Sequence, residues 1–157
     1  LYAVVQSGVG LDLLNMKNTG TFSAERLSDM VGLCNEYGFK SKEHNGDYLS
    51  AAEIQKRFVL GLDTINIAPE FGQIQTKLYI EHMNKQELDK FYDLCYESGK
   101  WKKWINESDI SCVQDLITVC GHYVFSHTEF SEIRPEIDEL VKVKITERIQ
   151  DILGVCQ

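Results

Sequence analysis

Basic residues are scarce in this chain of 157 residues, which has 16 lysines and arginines against 24 aspartates and glutamates and a formal charge of −8. Such an acidic chain is not expected to bind nucleic acid through phosphate contacts. Long apolar runs are also absent: none approaches the roughly 20 residues that span a bilayer, and no export signal is visible. We therefore expect a cytoplasmic protein whose partner is a small molecule or another protein, with no nucleic acid and no membrane.

Paired cysteine motifs are missing as well. The five cysteines are widely scattered, and none belongs to a Cys-x-x-Cys pair. An odd number of cysteines in a chain of this length is not typical of a disulfide framework. We expect reduced core thiols at these positions, which are Cys34, Cys95, Cys112, Cys120 and Cys156.

The composition is that of a globular protein, since 43% of the residues are hydrophobic. The length allows one domain of ordinary size with a sizeable core. The chain opens with Leu1-Tyr2-Ala3-Val4-Val5, which are strand-like residues without a starting methionine. We therefore expect it to be part of a longer polypeptide.

The first half of the chain alternates strand and helix signals. The order strand, helix, strand, helix, strand, with crossovers of about a dozen residues, predicts parallel pairing and the α/β class. The predicted elements are a strand at residues 2–7, a polar loop to Phe22, a helix capped by Ser23 and ended by Gly38, a strand at residues 39–43, a helix opened by the capping box of Ser50 and Glu53 and ended by Gly61, and a strand at residues 64–68 broken by Pro69.

After Pro69 the pattern is helical. Two helices are predicted up to Gly99, a third over residues 109–120 capped by Ser108, and a last one opened by Pro135. The basic and aromatic stretch at residues 100–104 is predicted to pack two aromatic rings under a loop, because it stands alone in an acidic chain.

Chemistry-bearing side chains follow each predicted strand. In parallel α/β folds the loops at the carboxyl ends of the strands converge and form the site. The stretch after the second strand is the richest, because Asn45-Gly46 alone would suffice for a plain turn; a turn with Asp47 as a solvated cap is the alternative. The polar residues at the three strand ends are Gln6, Ser7 and Gly8; Lys42, Glu43, His44, Asn45, Gly46 and Asp47; and Glu70 after Ala68-Pro69.

The alternation of side chains along the third strand sorts its residues by face. Ile65 and Ile67 share one face, which we expect to pack under helices. Asn66 then points toward the site, although a hydrogen-bonded core amide is the other interpretation.

The same alternation in the second strand places Lys40, Lys42 and His44 on the face away from the helices. A buried lysine is costly unless it is paired or deprotonated. Lys42 is therefore expected to lie beside Glu70 or another carboxylate, or to react as a free amine.

Of the four histidines, His44 alone is placed for chemistry, and it is the one candidate metal ligand that we identify. Gly72-Gln73 at a helix start is a weaker candidate for phosphate binding, since glycine is common at helix N-termini.

Four stretches fall in the same order as similar stretches of a known family. They are Val4-Val5-Gln6-Ser7-Gly8-Val9, Glu43-His44-Asn45-Gly46-Asp47-Tyr48, Ile65-Asn66-Ile67-Ala68-Pro69 and Ile149-Gln150-Asp151-Ile152-Leu153. In these stretches the chain resembles the non-catalytic subunit of class II tagatose-bisphosphate aldolase. The resemblance implies the C-terminal part of a (β/α)₈ TIM barrel, with residues 1–83 as its last three βα units and residues 84–157 as a helical C-terminal extension.

Three hypotheses on function follow from the resemblance and the strand ends. The first is a sugar-phosphate aldolase or an aldolase-associated subunit, which cleaves a carbon–carbon bond of a phosphorylated ketose in carbohydrate metabolism. The second is a non-catalytic barrel that stabilises a separate aldolase, and the third is a sugar-phosphate isomerase or epimerase. The catalytic candidates are Lys42, Glu43, His44 and Glu70, and the substrate-binding candidates are Gln6, Ser7, Gly8, Asn45, Asp47 and Asn66.

Cleavage next to a carbonyl needs an electron sink. A divalent metal such as zinc, bound through His44, is one candidate, and the amine of Lys42 is the other. Three parallel strands cannot close a barrel, so we also expect a homo-oligomer or a partner aldolase subunit to cover the open sheet.

Overall fold

The computed structural model describes residues 1–154, and these form two compact units. The first, here called the sheet unit, comprises residues 1–12, residues 16–68 and the C-terminal stretch from Glu147. The second, here called the helical unit, comprises residues 13–15 and 69–146. No helix within the described part of the chain is both long enough and apolar enough to cross a membrane.

The sheet unit contains a parallel sheet of three strands in the order β1-β4-β5. Tyr2 pairs with Lys40 at one end of the β1–β4 ladder, and Lys42 pairs with Thr64 between β4 and β5. The α/β class is thereby confirmed. The elements of this unit are β1 (Tyr2–Val5), β2 (Leu11–Asp12), β3 (Lys17–Asn18), α1 (Ala24–Glu36), β4 (Lys40–Glu43), α2 (Ala51–Val59) and β5 (Thr64–Ile65).

Local signals place the helices where the sequence predicts them. The Ser23 side chain accepts a hydrogen bond from the Arg26 backbone N–H at the start of α1. Ser50 and Glu53 form the predicted capping box at the start of α2. Both caps satisfy backbone donors that the first helical turn leaves without partners.

Two predictions on local structure are wrong in detail. The polar loop after β1 contains a short antiparallel pair, β2 with β3, in which Leu11 lies opposite Asn18. The third strand ends at Ile65, because the Asn66 carbonyl accepts the N–H of Gly46 and the Ala68 N–H donates to the Asp47 carboxylate. These bonds go to a loop instead of a strand, so the ladder stops there.

The sheet has one covered face and one open face. On the covered face a core of apolar side chains packs between strands and α1; its buried members are Val5, Leu27, Val31, Cys34 and Leu62. On the open face Tyr2 and Val4 are 60% and 57% exposed. Lys40 and Lys42 alternate with the buried Ser41 and Glu43, so they lie on the open face as predicted.

The last helix contributes to both units. Its stretch from Glu147 belongs to the sheet unit, where the Arg148 guanidinium donates to the Leu49 carbonyl oxygen (Nη2–O 2.8 Å) across 99 sequence positions. This helix is α7 (Asp138–Leu153).

The helical unit is built around an aromatic cluster. Tyr79, Phe91 and Phe130 are fully buried, and the rings of Phe91 and Phe130 lie 4.7 Å apart. Gly99 adopts a left-handed conformation with φ of 63°, which ends the second helix of the unit as predicted. The helices are α3 (Pro69–His82), α4 (Lys85–Ser98), α5 (Val113–Cys120), α6 (Thr128–Ile133) and the first part of α7, with 3₁₀ turns at Lys100–Lys103, Glu107–Asp109 and Gly121–Tyr123.

The helix predicted over residues 109–120 begins later than expected. Its first residue is Val113, because the Asp115 carboxylate accepts the backbone N–H groups of Ser111 and Cys112 and so caps the helix there. The last helix likewise begins at Asp138 and not at Pro135.

The basic aromatic stretch packs one of its rings into the helical unit. Trp101 is 3% exposed and its indole N–H donates to the Tyr96 carbonyl oxygen, at 3.2 Å. Trp104 is half-buried and donates to the Tyr123 hydroxyl. The structural interpretation is therefore confirmed for Trp101.

The cysteines that the structure describes form no disulfide. Cys34, Cys95 and Cys120 are buried, whereas Cys112 is exposed and so does not belong to a core. The neighbouring Cys120 thiol, together with burial, raises the pKa of the Cys95 thiol, which therefore stays protonated. Cys156 lies outside the described residues.

An ion pair at the start of β4 predicts a specific acid sensitivity. The Asp63 carboxylate accepts from the Lys40 ammonium (2.7 Å) and from the N–H and hydroxyl of Ser41. The hydrogen bond from Lys40, followed by those from Ser41, lowers the pKa of Asp63 from 3.8 to about 2. The stability that this carboxylate contributes is present above pH 3.8 and lost as the pH falls toward 2.

We therefore expect Asp63→Asn to lower the melting temperature at pH 5 and to reduce its decline between pH 4 and pH 2. Thermal unfolding followed by circular dichroism measures both. Asp29→Asn, at an exposed position of α1, is the control for charge removal. Parallel pH profiles for wild type and Asp63→Asn would contradict the assignment.

Candidate functional site

The candidate site lies at the carboxyl edge of the sheet, where three loops leave parallel strands. Residues 6–8 follow β1, residues 44–47 follow β4 and residues 66–68 follow β5. Because the strands are parallel, all three loops leave the sheet at this one edge, here called the strand-end edge.

The loops after β4 and β5 are joined by hydrogen bonds. The Asn66 N–H donates to the Glu43 carbonyl, and its own carbonyl accepts the Gly46 N–H, each at 2.9 Å. The Asp47 carboxylate accepts the Ala68 N–H at 2.9 Å and is only 1% exposed. Gly46 lies against the Ile65 side chain, which leaves no room for a Cβ. Asp47 is therefore a buried acceptor within this edge, in contrast to the solvated cap of the alternative interpretation.

Asn18 joins the loop after β1 to the loop after β4, a role that sequence reasoning missed. Its side-chain amide donates to the carbonyl oxygens of Asn45 (2.9 Å) and Asp47 (3.1 Å). Its side-chain oxygen accepts the N–H groups of Gly10 and Gly20. The sequence shows only a single asparagine in a glycine-rich polar segment. This pattern does not indicate which backbone groups the asparagine side chain contacts.

Glu43 lies on the covered face of the sheet, as the last residue of β4 and not in a loop. One carboxylate oxygen accepts the Ser7 N–H (2.6 Å) and the Ser7 hydroxyl. The other accepts from Arg57 Nε at 2.8 Å. Ser7 and Glu43 are both fully buried, so the structure brings these two predicted site residues together and binds both donors of Ser7 to Glu43.

Arg57 is the second functional residue that the sequence did not reveal. It is 2% exposed, and its guanidinium also donates to the Glu53 carbonyl (2.9 Å) and lies over the Phe22 ring, 4.4 Å from the centroid. The available signal was its position three residues after the buried Ile54, on the apolar face of α2.

Lys42 lies on the open face, so the structure does not bring it together with the Glu43 carboxylate. Its ammonium lies 5.8 Å from the centroid of the Tyr2 ring, and Val4 and Thr64 are its neighbours on the adjacent strands. Within the described residues of the sheet unit this ammonium has no ion pair, and Glu70 belongs to the helical unit. The Lys42 ammonium on the open face is therefore suited to bind an anionic group.

The remaining predicted residues are distributed as follows. Gln6 is exposed and His44 is half-buried directly after β4. Asn45 has a positive φ of 60°, which asparagine tolerates better than most residues. Glu70 is buried in the first turn of α3 and belongs to the helical unit.

The residues present do not fit a zinc ion. A structural zinc site takes four protein ligands and a catalytic site takes three. Among the residues that the structure describes, no three side chains of histidine, cysteine, aspartate or glutamate are arranged to hold a metal ion. His44 is therefore a single candidate ligand with no partner from this part of the chain.

Gly72 and Gln73 have packing roles inside the helical unit. A Cβ on Gly72 would lie 2.7 Å from the Cβ of His122, so glycine is needed for this contact. Gln73 is buried and its side-chain amide donates to the carbonyl oxygens of Leu13 (2.8 Å) and Thr118 (2.7 Å). These packing and hydrogen-bond contacts explain why glycine and glutamine occupy the two positions, and a phosphate ligand is not needed to explain them.

The comparisons with known proteins identify no family for this chain: no protein-family model matches it, and no curated protein matches its sequence. The resemblance to the tagatose-bisphosphate aldolase subunit therefore stays a prediction.

Proposed function

We propose that this chain forms part of a (β/α)₈ barrel of the sugar-phosphate aldolase group and binds a phosphorylated ketose at the strand-end edge. The observation that carries the proposal is the joining of three polar loops at one sheet edge, next to a lysine on the open face. Loops fixed in this way keep their polar groups in place before a ligand arrives, which reduces the entropy lost on binding.

In this proposal the ligand contacts come from residues whose side chains donate no hydrogen bond within the described part of the chain. Lys42 supplies a cation for a phosphate, while His44, Asn45 and Asn66 supply hydrogen bonds to sugar hydroxyls. Ser7, Asp47 and Glu43 shape the edge from within, because their polar groups are bound to the protein.

The geometry supports a binding subunit better than a complete catalytic centre. The Glu43 carboxylate is buried in an ion pair with Arg57 on the covered face, away from the open face. Catalysis of carbon–carbon cleavage within this chain would rest on Lys42 as an amine that forms an iminium with the ketose carbonyl and releases water, with His44 moving the proton. Aldolase activity is therefore the second candidate, alongside the binding role.

Closure of the barrel, or a homo-oligomer or partner aldolase subunit, would also account for the open face. Tyr2 and Val4 expose apolar surface there, and the outer edge of β1 has no strand beside it in the described sheet. Natural proteins cover or pair such edges.

Lys42→Ala is expected to weaken the binding of a ketose 1,6-bisphosphate about tenfold, because a charge-assisted contact to phosphate is lost. Lys40→Ala is the matched control, since it removes the same charge from the same face of the same strand, two residues before Lys42; the ion pair with Asp63 that it also breaks lies at the opposite end of the strand. Isothermal titration calorimetry with the bisphosphate and with inorganic phosphate measures the effect.

Equal affinities of the two variants would contradict the placement of the ligand at Lys42. Borohydride reduction in the presence of the ketose, followed by peptide mass mapping, separates the two candidates. A reduced adduct on Lys42 supports an aldolase that uses this amine, whereas binding without an adduct supports the binding subunit.

A further inference from the structure

We propose that Arg57 is a positioning residue for the strand-end edge: through the buried carboxylate of Glu43 it fixes the turn at Ser7 and Gly8. The inference rests on the proposed function, because the loop that Arg57 would orient belongs to the proposed ligand-binding edge. Arg57 would act on this loop without contacting the ligand. Arg57 itself is only 2% exposed.

The guanidinium of Arg57 is held from three sides. Nε donates to Glu43 (2.8 Å), Nη1 donates to the Glu53 carbonyl within α2 (2.9 Å), and Phe22 stacks against its face. A planar group with donors in a fixed fork has one orientation that satisfies all of these contacts. The position of the Glu43 carboxylate is thereby fixed relative to α2.

The carboxylate in turn fixes Ser7. Its other oxygen accepts both the N–H and the hydroxyl of Ser7, while the Ser7 carbonyl accepts the Ser23 N–H at 2.7 Å. All polar groups of Ser7 are therefore bound within the protein. Gly8 follows with φ of 103° and lies against the Thr21 carbonyl; because glycine itself has wide backbone freedom, the contacts of Ser7 are what hold this turn.

A purely stabilising ion pair would behave differently from a positioning one. Replacing both partners of a buried pair by apolar side chains often restores stability, since no buried charge is left without a partner. Such a replacement does not give Ser7 a new acceptor. The double variant Glu43→Met/Arg57→Met therefore separates stability from the fixing of the turn by the Glu43 carboxylate, and Arg57→Lys, which keeps that carboxylate, tests the part of Arg57.

We expect the double variant to fold, with exchange of the Ser7 amide hydrogen at least about tenfold faster and with affinity for a ketose 1,6-bisphosphate lowered about tenfold. Hydrogen exchange followed by NMR and titration calorimetry on the full chain measure these effects. The matched control is Arg134→Met/Asp138→Met, which removes an exposed ion pair of the helical unit and is expected to leave both quantities unchanged.

Unchanged exchange at Ser7 together with unchanged affinity in the folded double variant would overturn the inference. Arg57→Lys is measured beside it, because an ammonium keeps the charge and leaves the Glu43 carboxylate in place but lacks the planar fork of donors that orients this carboxylate. Wild-type exchange at Ser7 in this variant would overturn the inference in the same way. If the wild type binds neither the bisphosphate nor inorganic phosphate, the proposed function fails. The exchange measurement needs no ligand, so it then decides alone whether Arg57 fixes the turn.

Discussion

Arg57→Met alone is expected to lower the free energy of unfolding by about 3–5 kcal/mol. The substitution removes the counterion of a carboxylate that is 0% exposed, and the remaining hydrogen bonds from Ser7 do not neutralise its charge. Urea unfolding followed by circular dichroism measures the loss. The single variant should be less stable than the Glu43→Met/Arg57→Met double variant, because the double variant buries no unpaired charge.

The comparison with a surface pair gives the scale of this effect. Arg134→Met breaks the ion pair with Asp138, whose two side chains are largely solvated, and should change stability by about 0–1 kcal/mol. A loss for Arg57→Met that is no larger than for Arg134→Met would show that the Glu43 carboxylate is not isolated from water.

Gly8→Ala is expected to cost about 2–6 kcal/mol, as the sum of about 1–3 kcal/mol for a strained backbone and about 1–3 kcal/mol for overpacking. Gly8 has φ of 103°, a conformation that side-chain-bearing residues rarely adopt, and a Cβ there would overlap the Thr21 carbonyl oxygen. Thermal and urea unfolding of the variant measure the cost.

Gly32→Ala is the control, because Gly32 lies within α1 and a Cβ there meets no atom within 4 Å. Alanine in a helix interior is favoured over glycine by about 0.5–1 kcal/mol, so this variant should gain stability. We therefore expect the free energy of unfolding to fall for Gly8→Ala and to rise for Gly32→Ala. A loss of similar size in both variants would show that the backbone conformation and packing at Gly8 do not determine its effect.

The elements whose signals are local could be predicted from the sequence. Ser23 and the pair Ser50 and Glu53 mark helix starts through side chains that bond to the backbone within three residues. Gly99 marks a helix end through its left-handed conformation. The faces of β4 could also be predicted, since alternation along a strand follows from its geometry.

The interior of the candidate site could not be predicted in this way. Lys42 and Glu43 are neighbours in sequence, but strand geometry sends them to opposite faces, and only the fold shows which face receives Arg57, 14 positions later. Asn18 bonds to carbonyls 27 and 29 positions away. Such contacts depend on how the elements pack, and periodicity carries no information about them.

The return of the chain in α7 has a consequence for the order of folding during synthesis. The sheet unit is discontinuous in sequence, because residues 69–146 of the helical unit lie between Leu49 and its hydrogen-bond donor Arg148. Local helical contacts form faster than contacts between distant positions. Residues 69–146 therefore leave the ribosome before the stretch from Glu147, and a chain truncated at Thr146 would carry the strands without the hydrogen bond from Arg148 to Leu49.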